Sequence, residues 1–208
     1  MYDVIIDVDG VLIDLHESLK HRFASLGYNY DVNNVYTYDF NRYLPDEYMF
    51  RQLPPRSMIF ELFEDADIYK EAPVDWDSIM LIRHYAEQGF RFLVYTLSAN
   101  MDVHLAKQAM FLHWFPFTPN VRFLSLVDNG DYKPVLSTKI VIEDCHINLM
   151  DYGPFVHKLL VDAPYNRAEY NASYHRLFED PFFLRCKNTS SAINLAVSRI
   201  TSGKYRFI

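Results

Sequence analysis

The sequence predicts an α/β fold, a Rossmann-like parallel sheet with helices on both faces, and three observations carry that expectation. From about residue 74 onward, short β-branched and aromatic runs alternate with longer amphipathic stretches, the pattern of successive strand and helix units. The first strand-like run, within VIIDVDG (4–10), sets Val4, Ile5 and Ile6 in unbroken succession, as a strand covered on both faces requires. Three such runs then end in polar residues: Asp7 and Asp9, Thr96, and Glu143 with Asp144. In a parallel sheet these ends share one edge, where open α/β folds hold their ligands.

The elements follow in order. Residues 14–26 read as a helix with Leu15, Leu19, His21, Phe23 and Leu26 on a partly apolar face, and Gly27 stops it. From Tyr28 to Pro73 the chain is rich in aromatics, interrupted by Asn and Pro, and has no buried-strand pattern. It reads as a small insert with one short helix within 56–63, so the expected division is a core of 1–27 and 74–208 with an insert of 28–73. The spacing then predicts a helix over 76–88 ending at Gly89, a strand over 90–98, a helix over 102–114 and a strand over 121–126. After the turn DNGDY come a strand over 138–144, two short strands at 157–161 and 182–186, and a last helix over 190–200. There is no internal repeat.

A chain of 208 residues buries a substantial core as one domain, or as one domain with an insert. Half of the residues are apolar, which excludes a disordered chain. The 20 basic residues are outnumbered by 27 acidic ones, net −7, so duplex nucleic acid is not an expected partner. Cys145 and Cys186 form neither a metal pair nor a disulfide framework. No leader pattern or bilayer-length apolar run is present, and the expected setting is the cytoplasm with no membrane partner.

The acids at the strand ends carry the chemistry. Asp and Gly together also suit turns and helix N-termini, and a calcium loop starts similarly, but Val11 and Leu12 stand where that loop needs its next ligand and its Gly. Carboxylates on two strands suit a hard cation, Mg²⁺, bound through oxygen. The Thr96 hydroxyl and the Lys133 ammonium suit phosphate, which leaves one carboxylate to attack phosphorus. Lys139, five residues before Asp144, competes with Lys133 but lies within a strand. The role of Glu143 stays open between a supporting acid and an exposed one. His146 beside Cys145 receives no role.

Asp7-Val8-Asp9-Gly10-Val11, Thr96 after FLVY, Lys133, and Glu143-Asp144 resemble, in order, the four motifs of the haloacid dehalogenase (HAD) superfamily of phosphohydrolases. The string DVDGVLID, the placement of the insert, Lys133 eleven residues ahead of Asp144, and DAPYNR (162–167) are similar to the 5'(3')-deoxyribonucleotidases. The chain departs from that family at Leu97, where Ser is usual, at Leu15, where the vertebrate enzymes carry an aromatic, and at Glu143, which replaces an Asp.

The resemblance implies Asp7 as the nucleophile that forms an aspartyl-phosphate and Asp9 as the acid/base. It implies Mg²⁺ held by Asp7, the Asp9 backbone carbonyl and Asp144, and phosphate held by Thr96, Lys133 and the N–H of Leu97. The insert 28–73 becomes a small, mainly helical cap, with Phe40 and Phe60 as its candidates for stacking on a base; Tyr36, Tyr38, Tyr43 and Phe63 share its aromatic character, and packing within the cap is the competing use. Asn166 and Arg167 are candidates for substrate contact. The implied substrate is a nucleoside monophosphate, cleaved in nucleotide metabolism. A sugar phosphate, a polynucleotide phosphate end, and a HAD-like binding protein without turnover are the alternatives. The preferred base, the phosphate position, the need for deoxyribose and the oligomeric state, a homodimer included, stay open.

Overall fold

The computed structural model describes residues 1–25, 62–127, 133–167 and 175–203. Labelled in chain order through these residues, the elements are β1 (Tyr2–Ile6), α1 (Leu15–Ser25), α2 (Ala66–Glu71), α3 (Trp76–Glu87), β2 (Phe92–Ser98), α4 (Met101–Trp114) and β3 (Val121–Val127). They continue as β4 (Thr138–Glu143), α5 (His146–Met150), β5 (His157–Val161), a 3₁₀ turn (Pro164–Asn166), α6 (His175–Phe178), β6 (Phe183–Cys186) and α7 (Thr189–Thr201). The strands expected from apolar runs and the four longest helices expected from 3.6-residue periodicity all form, within two residues at each end. The elements that the sequence did not signal, α2, α5, α6 and the 3₁₀ turn, span at most six residues. That is too short to display a helical period.

The six strands form one all-parallel sheet in the order β3-β2-β1-β4-β5-β6. The chain starts in the middle, builds outward to β3, and returns to the other side of β1 with β4. The order therefore reverses between β1 and β4, and a crevice at the carboxyl ends of those two strands is the geometric consequence.

Side-chain alternation divides the core into two layers. Val4, Ile6, Phe92, Val94, Ile140 and Ile142 pack on one face with Leu19 of α1, Ile79 and Ile82 of α3, Val103 of α4 and Ile193 of α7. Ile5, Leu93, Tyr95, Val141 and Leu160 pack on the other with Leu149 of α5 and Leu177. The central strands are buried throughout or nearly so, whereas β3 and β6 at the sheet's edges are partly exposed, which is why VRFLSLV carries Arg and Ser within its apolar pattern. Asp75, Asn100 and Asn188 cap α3, α4 and α7 by accepting from backbone N–H groups in the first turn.

The expected insert is described only from residue 62. Leu62, Ile68, Tyr69 and Ala72 belong to the main core, α2 packs on α1 and α4, and an antiparallel bridge between Ile13 and Val74 pins the chain's return. The greater part of the insert, including Tyr36, Tyr38, Phe40, Tyr43 and Phe60, lies outside the described residues. No helix among the described residues is long and apolar enough to cross a membrane.

Candidate active site at the carboxyl ends of β1, β2 and β4

The loop after β1 is wound tightly by its own backbone. Leu12 and Ile13 donate to the Val8 carbonyl at 2.8 and 3.1 Å, Gly10 donates to the Ile13 carbonyl at 3.0 Å, and Thr189 at the start of α7 donates to the Val11 carbonyl at 2.7 Å. Gly10 has φ +70°, in the left-handed region that favours glycine. Asp7 itself donates its N–H to the Ile142 carbonyl of β4 at 3.0 Å, so the sheet ladder fixes the first acid.

Asp7 and Glu143 share an ammonium group. Lys133 Nζ lies 2.7 Å from Asp7 Oδ1 and 2.8 Å from Glu143 Oε2, and 5.0 Å from the centre of the Tyr95 ring. Tyr95 also donates its hydroxyl to the Pro134 carbonyl at 2.9 Å, which anchors the segment that bears Lys133. All three charged groups are buried. Burial opposes the charge on Lys133, but Asp7 and Glu143 together outweigh it and raise its pKa above the ordinary lysine value. Burial and the neighbouring Asp7 raise the Glu143 pKa well above the usual carboxylate range despite Lys133. Glu143 is thus a buried partner of Lys133, which closes the reading of it as an exposed acid. Lys139 points to the opposite edge of the sheet, where it meets Asp3 at 2.6 Å.

Asp144 is held from the side. Tyr165 donates its hydroxyl to Asp144 Oδ2 at 2.5 Å. The Asn166 amide donates to the backbone carbonyls of Asp144 at 2.8 Å and Val161 at 2.7 Å, and its oxygen accepts from Ala163 N–H at 3.0 Å and from Arg185 at 3.0 Å. Asn166, a candidate for substrate contact, is therefore wholly buried and spends its polar atoms on holding the loop. Arg167 is exposed, with its guanidinium 3.9 Å from Asp162. Carboxylate oxygens of Asp7, Glu143 and Asp144 lie within 4.8 Å of one another, a hard-oxygen set that fits Mg²⁺.

Asp9 and Thr96 meet on the other flank around a residue that the sequence reading passed over, Lys107 of α4. Its Nζ lies 2.5 Å from Asp9 Oδ2, 3.0 Å from Thr96 Oγ1 and 2.6 Å from the Leu97 carbonyl. It also sits 4.5 Å from the centre of the Tyr69 ring. Thr96 is fully buried, and Leu97 continues the β2–β3 ladder opposite Leu126. Burial raises the Asp9 pKa more than Lys107 lowers it, and Asp7 adds to the rise. A signal for Lys107 was present: it occupies the apolar stripe Val103, Ala106, Met110, Trp114, where helical spacing buries whatever it places.

Asp7, Asp9, Asp144, Leu15, Leu19 and Phe63 line one cavity of about 140 Å³. A larger cleft of about 420 Å³ adjoins it, sharing Gly10, His16 and Tyr165 as a common wall. His16 lies 4.6 Å from Tyr165, ring to ring; burial lowers its pKa to about 4, so the wall is neutral at physiological pH. Four carboxylates, Asp7, Asp9, Glu143 and Asp144, thus face two ammonium groups, Lys107 and Lys133. The carboxylate oxygens of Asp7, Glu143 and Asp144 would hold a divalent cation, and the site can in addition supply a nucleophile and a proton donor. No protein-family model and no curated protein matches the chain.

Proposed function

We propose that the chain is a Mg²⁺-dependent phosphomonoesterase of the haloacid dehalogenase type, with nucleoside monophosphates as substrates, as in the 5'(3')-deoxyribonucleotidases. One observation carries the reading: Asp7 stands between a buried lysine and two further acids, while Asp9 lines the same cavity on the other flank. That arrangement supports nucleophilic attack by a carboxylate on a phosphate ester. Mg²⁺ held by Asp7, Asp144 and the Asp9 carbonyl, with Glu143 close by, would cancel charge that otherwise repels the phosphate dianion.

In this reading Asp7 forms a bond to phosphorus as the bond from phosphorus to the ester oxygen breaks. Asp9 gives its proton to the departing oxygen and later takes one from the water that hydrolyses the aspartyl-phosphate. The raised pKa of Asp9 favours the protonated form that the first step needs. Lys133, held between Asp7 and Glu143, neutralises charge on the transferred oxygens. The cap expected from the insert 28–73 lies mostly outside the described residues.

The test is phosphate release from deoxynucleoside monophosphates, sugar phosphates and p-nitrophenyl phosphate, each with Mg²⁺ and with EDTA. Release should require Mg²⁺, should be greatest with the nucleotides, and should fall by about 10³-fold or more in Asp7→Asn. Substantial turnover by Asp7→Asn would exclude the covalent route. Release from no ester would exclude the phosphomonoesterase.

A further inference from the structure

The acid/base of the proposed reaction has two oxygens in unequal surroundings. Asp9 Oδ2 is engaged by Lys107 at 2.5 Å and by the Thr96 hydroxyl at 3.4 Å. Asp9 Oδ1 is buried and has no hydrogen-bond partner among the described residues. Lys107 cannot easily move, because its ammonium is also held by the Leu97 carbonyl and Thr96, lies over the Tyr69 ring, and is 1% exposed. A lysine placed so deep, with its hydrogen bonds all made to Asp9 after β1 and to Thr96 and Leu97 of β2, is costly to bury unless its charge is used.

Resting on the reading above, we infer that Lys107 is a positioning residue. It pins the Asp9 carboxylate by Oδ2 and so fixes the orientation in which Asp9 gives its proton to the leaving group. The proton passes from the Asp9 carboxyl to the ester oxygen as the bond from that oxygen to phosphorus breaks and the bond from Asp7 to phosphorus forms; the products are an alcohol and the aspartyl-phosphate, and Asp9 is left ionised beside Lys107. Lys107 touches neither phosphorus nor the departing oxygen in this scheme, so its effect must appear through Asp9.

The dependence on the leaving group separates this role from a merely structural one. An alkoxide needs protonation in order to leave and a p-nitrophenolate hardly does, and kcat/KM reports only the steps through phosphorylation of Asp7. Lys107→Met should lower kcat/KM for glycerol phosphate by about 100-fold or more, the usual scale of a general acid's contribution, and that for p-nitrophenyl phosphate by less than about tenfold. A crystal structure of the variant should show the Asp9 carboxylate rotated from its present position. If Lys107→Met does not fold, as judged by circular dichroism, Lys107→Gln carries the same two measurements. Equal losses on the two esters, no loss on either, or an unmoved Asp9 carboxylate would overturn the inference while leaving the phosphatase reading intact. A wild-type protein that cleaves neither ester would overturn both.

Discussion

A Cβ added at Gly10 would stand 2.2 Å from Asp144 Oδ2 and 2.6 Å from the Tyr165 hydroxyl, at a backbone φ of +70°. Backbone and neighbours both reject a side chain there. Gly10→Ala should therefore lower stability by about 1–2 kcal/mol from the left-handed backbone alone, and displacement of Asp144 should add a loss of Mg²⁺ affinity. Urea denaturation and calorimetric Mg²⁺ titration measure the two effects separately; wild-type values in both would mean that the loop adjusts freely. Asp144 gives the matching test of the metal set. Asp144→Asn keeps an oxygen for the Tyr165 hydroxyl but removes the charge, so Mg²⁺ affinity should fall at least about tenfold, a loss of about 1.4 kcal/mol or more, while the fold persists. An unchanged Mg²⁺ titration would move the ligand role to Glu143, which lies within the same cluster.

At the scale of elements, the contact between β5 and α7 carries a pH dependence of its own. His157 opens β5, is nearly buried, and packs edge-on against Phe182 at 4.9 Å between ring centres. Arg199 of α7 donates to its Nδ1, which fixes the neutral ring with its proton on Nε2. Burial first, and then the Arg199 charge, lower its pKa from 6.5 to about 4. The folded state thus binds this proton less readily than the unfolded chain. The stabilisation is complete above pH 6.5 and is lost as pH falls from there through about 4. His157→Gln should reduce the loss of stability over that window by the share due to this group, on the order of 3 kcal/mol, while His16 and His146, lowered in the same way by burial, keep theirs. Chemical denaturation at pH 7, 5.5 and 4 measures it, and parallel curves for the two proteins would refute the assignment.

For the molecule as a whole, the question is where the core ends. Ile68 of α2 is 3% exposed and belongs to the same apolar cluster as the central strands, although the sequence assigned it to the insert. Ile68→Ala should accordingly destabilise the entire fold by about 2–5 kcal/mol, and unfolding should remain a single transition followed by near- and far-ultraviolet circular dichroism. A separate early transition, with the rest of the protein unaffected, would show that the segment around α2 is independent of the sheet. The charge pattern belongs to this scale too. Acids gather at the reversal of strand order, where the N-terminal strand meets β4, and the buried Lys107 and Lys133 reach that point from α4 and from the segment before β4.

The sequence by itself determined the α/β class, the order of the strands and the longer helices, and the placing of Asp7, Asp9, Thr96, Glu143 and Asp144 at or near the carboxyl ends of strands. Those features are written in local periods and in breaks of hydrophobicity, which need no knowledge of distant residues. Lys133 was legible only through its spacing to Asp144. What only the tertiary structure decided is which groups meet. Lys107 lies 98 residues from Asp9 and Lys133 lies 126 from Asp7, and both contacts depend on how helix and loop seat on the sheet. The same holds for Tyr165, whose hydroxyl reaches Asp144 across 21 residues, and for Asn166, the last residue of the 3₁₀ turn, whose amide meets backbone carbonyls. A side chain's type is a local fact, but its partner is set by the packing of the whole chain.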